Sequence, residues 1–107
     1  MDQKVENLLI SLKSILKQKY GRDLSIIYLF GSQINSYNPD SDFDVMLIFK
    51  KSKDWKETNK ILDLITDFGI ENDIVFDAKV YFENDLNNSL IKEIPFVKNI
   101  FATGIKI

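Results

Sequence analysis

The sequence predicts an α/β fold, and three observations carry that prediction. Apolar residues recur at helical spacing in two long segments, three shorter runs are rich in strand formers, and the two kinds of segment alternate along 107 residues. From about Asp2 to Lys19, Val5, Leu8, Leu9, Leu12, Ile15 and Leu16 mark one face of an amphipathic helix that Tyr20-Gly21 ends. Leu24 to Phe30 is almost wholly apolar and reads as a buried strand, with Gly31 and Ser32 where it gives way to a turn. In the run from Asp42 to Phe49, Asp42, Asp44, Met46 and Ile48 share one strand face, while Phe43, Val45, Leu47 and Phe49 share the other. A second helix begins near Asp54, which with Glu57 forms a capping-box variant; its apolar side starts at Trp55 and runs through Ile61, Leu62, Ile65 and Phe68 to Gly69. A third strand, from about Ile74 to Phe82, sets Phe76, Ala78, Val80 and Phe82 against Asp77, Lys79 and Tyr81. Glu83 to Ile91 and Pro95 to Thr103 read as short helices, the second opened by Pro95 and closed by Gly104.

A chain of this length suits one domain, 1–107, able to bury about two thirds of its unfolded-chain surface without staples. An apolar fraction of 45% argues against disorder, and no apolar run approaches the roughly 20 residues of a membrane span. MDQKVENLL has neither the basic start nor the small-residue cleavage site of a signal peptide, so the expected location is cytoplasmic. With no cysteine and no histidine, thiolate chemistry and imidazole bases are excluded, and proton transfer must fall to carboxylates, lysine, tyrosine or water. A net charge of −2, with thirteen lysines and one arginine, does not indicate nucleic acid. Lysines 50, 51, 53, 56 and 60 do cluster, as a solvated helix entrance or a phosphate-binding surface.

The candidate chemistry lies in Phe30-Gly31-Ser32 and Asp42-Phe43-Asp44. Glycine at a strand end lets a phosphoryl group approach the backbone, and the turn after it adds N–H donors and the Ser32 hydroxyl. Carboxylates two apart on a strand lie about 6.5 Å apart along it and can tilt toward one or two Mg²⁺ ions. Asp44 is harder to explain structurally than Asp42, because an aspartate facing Met46 and Ile48 pays desolvation unless paired or metal-bound. Asp77 sits mid-strand, where aspartate is disfavoured; an ion pair with lysine is its structural explanation. Asp73, at the strand entrance, is the competing candidate.

The stretch LFGSQINSYNPDSDFDVMLIF, Leu29 to Phe49, resembles the signature of the polymerase-beta-type nucleotidyltransferases, and especially the single-domain minimal nucleotidyltransferases. That pattern is a hydrophobic residue, Gly-Ser, about ten spacer residues and Asp-x-Asp in a hydrophobic strand; the spacer here, Gln33 to Ser41, has nine. A third family carboxylate finds its match in Phe76-Asp77-Ala78-Lys79-Val80. The resemblance implies a small mixed sheet flanked by helices and a two-Mg²⁺ centre in which Asp42, Asp44 and Asp77 are ligands and Asp77 the general base. Gly31 and Ser32 would hold the phosphates of ATP or another nucleoside triphosphate. Three carboxylates and a triphosphate bring about seven negative charges together, of which two Mg²⁺ neutralise about four. The resemblance further implies transfer of AMP to a hydroxyl on a HEPN-type toxin, making this chain an antitoxin, with homo-oligomers possible. The chain departs from the pattern after Ser32, where Gln33-Ile34-Asn35-Ser36 stands in place of a sequence with a basic residue and a glycine. That departure favours a rival reading, a non-catalytic binding module; a metal-dependent nuclease is a third, in which the Gly-Ser turn has no task.

Overall fold

Asp2 caps the first helix by accepting hydrogen bonds from the backbone N–H groups of Lys4 (2.8 Å) and Val5 (3.3 Å), and α1 runs from Gln3 to Tyr20. In the computed structural model, which describes residues 1–88 and 90–107, a short 3₁₀ turn links it to strand β1 (Leu24–Phe30). Then come β2 (Phe43–Phe49), α2 (Trp55–Glu71), β3 (Phe76–Phe82), α3 (Glu83–Asn88), α4 (Pro95–Thr103) and β4 (Ile105–Lys106). The strands form one sheet in the order β3-β2-β1-β4. β1 runs antiparallel to both β2 and β4, whereas β2 and β3 are parallel and joined by α2, so the sheet is mixed as expected.

The period-2 pattern of the strands separates two cores. Phe43, Val45, Leu47 and Phe49 pack with Val5, Leu9, Leu12 and Leu16 of α1 and Ile61, Ile65 and Phe68 of α2. Each such side chain contributes about 1.5–3 kcal/mol when fully buried, so this face anchors the sheet. On the opposite face Tyr28, Met46 and Ile48 meet Leu86, Val97 and Ile100 from α3 and α4. Asp44 shares that second, less completely covered face, and is only partly buried.

Four details differ from the sequence reading. Trp55 is 71% exposed and does not begin the buried side of α2, which starts at Ile61. The third strand begins at Phe76 rather than Ile74, because Asp73 takes φ 56° and the Ile74 N–H turns back to the Gly69 carbonyl (2.9 Å) to finish the helix. Strand β4 was not foreseen: two residues are too few for an alternation signal, yet Tyr28 pairs with Lys106 and Leu29 with Ile105. Of the helix expected over Glu83 to Ile91, Glu83–Asn88 is helical, Ser89 lies outside the described residues, and Leu90–Glu93 forms a 3₁₀ turn.

Part of the lysine cluster is structural. Asp23 binds the Lys53 ammonium and the Lys51 N–H (2.9 Å), while its carbonyl accepts from the Lys50 N–H (2.8 Å). Burial pushes the Asp23 carboxyl up, but the bonds from Lys53 and Lys51 and their charges outweigh it and hold it below the usual range. Lys53 also lies over the rings of Tyr20 (5.7 Å) and Phe49 (5.2 Å), and Lys60 pairs with Glu57 (3.2 Å). Lys50, Lys51 and Lys53 thereby tie the β2–α2 connection to the residue before β1.

Candidate active site

Where β1 ends, Phe30 lies opposite Asp44 on β2, and the chain turns through a 3₁₀ segment, Gly31–Ile34. Gly31 takes φ 79°, in the left-handed region that glycine tolerates. A Cβ there would stand 2.2 Å from Oδ2 of Asp44, so the backbone touches the carboxylate. Gly31→Ala is expected to destabilise the fold by at least about 1–2 kcal/mol from the backbone conformation alone. It should also displace Asp44; denaturant unfolding together with a crystal structure of the variant would check both effects.

On its other side Asp44 lies in register with Asp77 of β3. Neighbouring strands stand about 4.7–4.9 Å apart, so the two carboxylates emerge side by side on one face. Asp42 lies one residue before β2, exposed, rather than within the strand as the sequence suggested. Burial pushes the Asp44 carboxyl above its usual range, and the charges of Asp77 and Asp42 push it further, with Lys79 opposing. The Lys79 ammonium donates to Oδ1 of Asp77 at 3.2 Å; both side chains are nearly half exposed, so this pair contributes little to stability. The structure thus brings Asp42, Asp44, Asp77 and Gly31 into one neighbourhood, with Ser32 exposed beside Gly31. Asp73 instead serves as an exposed turn residue.

As they stand, no three acidic side chains among the described residues close around a point that could hold a metal ion. The donor chemistry nevertheless fits a hard divalent cation: every candidate ligand is a carboxylate, and the mutual repulsion that raises Asp44 is what a bound cation would relieve.

Gln33 is the residue the sequence reading missed. Its side chain is fully buried; its amide nitrogen donates to the carbonyls of Asn38 (2.6 Å) and Ser41 (2.9 Å), and its oxygen accepts from the Asn38 N–H (2.9 Å). Where the family pattern leads toward a basic residue, this chain has an internal staple that folds the β1–β2 loop and delivers Asp42 to the strand. The only sequence hint is the turn Asn38-Pro39-Asp40-Ser41, whose backbone groups need partners. Gln33→Leu removes the three hydrogen bonds that hold the loop and is expected to cost about 1–3 kcal/mol in thermal or denaturant unfolding.

A cavity of about 930 Å³ opens at the other end of the same sheet face, lined by Ser25, Ile26, Ile48, Leu86 and Phe101 among others. It does not include the aspartates, so cavity volume does not locate this chemistry.

A mixed sheet with Asp-x-Asp at the start of β2, a Gly-Ser turn pressed against it and a third aspartate in register on β3 defines a nucleotidyltransferase class of α/β fold. The chain belongs to that family: the model of the polymerase beta nucleotidyltransferase domain matches residues 11–107. It is also similar to a protein named "Putative protein adenylyltransferase MJ0141" from Methanocaldococcus jannaschii, 30% identical over 84 residues that cover 78% of this chain and 80% of that protein. No solved structure matches the chain. No helix among the described residues is long and apolar enough to cross a membrane.

Proposed function

We propose that this chain moves a nucleoside monophosphate, AMP from ATP, onto a hydroxyl of a partner protein. The observation that carries the reading is the register of Asp44 with Asp77, beside Gly31 and Asp42, in a chain of the nucleotidyltransferase family. The acceptor class is supported by the name of the relative, a protein adenylyltransferase.

Asp42, Asp44 and Asp77 would hold two Mg²⁺ ions, which when bound supply charge neutralisation and polarisation of the phosphate oxygens. Gly31 lets the triphosphate approach the backbone at the end of β1, and Ser32 donates its hydroxyl to a phosphate oxygen. Asp77 accepts the proton of the acceptor hydroxyl at its carboxylate, which the Lys79 ammonium contacts at 3.2 Å. Attack on the α-phosphorus joins AMP to the acceptor oxygen and releases pyrophosphate. Ser32→Ala is expected to weaken ATP binding by about 1–2 kcal/mol with the fold intact, as read by calorimetry and circular dichroism.

The resemblance to minimal nucleotidyltransferases supports a HEPN-type toxin as the acceptor, an antitoxin role and a cytoplasmic setting, with 1–107 as one domain. The use of Gln33 as a staple, with no basic residue after Ser32, favours a second reading in which the fold neutralises its partner by contact alone. Incubation with the candidate partner and ATP labelled at either the α- or the γ-phosphate separates the two. Label from the α position alone supports AMP transfer; label from γ indicates phosphate transfer, and none with a bound partner supports the contact reading.

A further inference from the structure

Phe96, the second residue of α4, leaves 44% of its surface exposed. Its neighbours Val97 and Ile100 are buried against the sheet, which fixes the rotation of the helix. Its ring stands perpendicular to that of Phe30, with centroids 5.5 Å apart. Phe30 in turn lies directly opposite Asp44, and directly opposed side chains stand roughly 5 Å apart. The three groups thus form a row across the sheet face, from carboxylate to partly buried ring to exposed ring. The other exposed aromatics lack that connection. Trp55 starts α2, which packs on the opposite face, and Phe101 sits perpendicular to the ring of Tyr28 and lines the cavity at the far end.

We propose that Phe96, held by Phe30, is the platform on which the base of the nucleoside triphosphate stacks, with purines preferred over pyrimidines. This inference rests on the nucleotide-binding reading above. A triphosphate held at Gly31 and Asp44 must place its ribose and base away from the phosphates, and the row through Phe30 gives the base an apolar surface at that reach. Flat aromatic stacking suits a base because its hydrogen-bonding edges stay in water while its faces are covered. Purines gain more because their two rings cover more of the platform.

The test compares ATP with inorganic tripolyphosphate, each with Mg²⁺, by calorimetry on the wild-type chain, Phe96→Ala and Phe96→Tyr. Phe96→Ala is expected to weaken ATP about tenfold, within the range that base–aromatic stacking accounts for. It should leave tripolyphosphate unchanged, and Phe96→Tyr should restore ATP binding. A second arm replaces the single tryptophan, Trp55→Phe, and adds Phe96→Trp; ATP should quench the new emission and tripolyphosphate should not. If the wild type binds ATP and Phe96→Ala binds it equally well, or if Phe96→Ala loses only a protein partner, the platform is overturned while the nucleotide reading stands. If the wild type binds neither ligand, both are overturned. Equal losses of ATP and tripolyphosphate in Phe96→Ala, not restored by Phe96→Tyr, would overturn the platform by showing a structural role.

Discussion

Asp77→Asn is expected to lower nucleotidyl transfer by at least about 10²–10⁴-fold, the range associated with loss of a general base, while the fold and partner binding survive. The substitution keeps the size of the side chain and its place in register with Asp44, and the ion pair it removes is with the half-exposed Lys79, so little stability is at stake. Asp73→Asn is the internal control. Asp73 is exposed at φ 56°, a conformation asparagine tolerates as well as aspartate, so transfer and melting temperature should both be near wild type. Transfer assays on the two variants check the assignment. An active Asp77→Asn with a dead Asp73→Asn would move the base to the other carboxylate.

Asp44→Asn should separate stability from activity. Burial and the charges of Asp77 and Asp42 raise the Asp44 carboxyl above its unfolded value. The folded state therefore binds a proton more tightly than the unfolded state, and stability falls as pH rises from the unfolded toward the folded value. Above that window the penalty is fully present, so at neutral pH the charged Asp44 destabilises the ligand-free protein. Asp44→Asn is accordingly expected to melt above the wild type at pH 7, to lose that advantage as the pH is lowered through the window, and to transfer nucleotide no better than Asp77→Asn. Melting curves of both proteins across the acidic range, paired with the transfer assay, check the three statements.

Much of this architecture was legible in the residues. The strand period from Asp42 to Phe49 put Asp44 on the face of Met46 and Ile48, and the alternation of Phe76 to Phe82 put Asp77 opposite the partly buried Phe76 and Phe82. Helix α2 began where Asp54 predicted, with that carboxylate accepting from the Glu57 N–H (2.8 Å). What local sequence could not convey was which strands pair. The register that sets Asp44 between Phe30 and Asp77, and the passage of Gly31 against Oδ2, arise only when β1 and β3 flank β2. Gln33 was illegible for a related reason, since its partners lie five and eight residues away in a loop with no regular period. Trp55 misled because an aromatic residue at the start of an apolar helix looks like core, yet the helix turns it outward beside Lys56.

The central claim is that Asp42, Asp44 and Asp77 form a self-repelling site awaiting a metal-bound nucleotide. The most direct measurement is the melting temperature of the wild type and of Asp44→Asn, with and without millimolar Mg²⁺ and ATP. The wild type should gain about 2.7 kcal/mol at a hundredfold excess over its Kd, and Asp44→Asn, already more stable without ligand, should gain little. A wild-type melting temperature unmoved by Mg²⁺ and ATP, or an equal gain in Asp44→Asn, would contradict it.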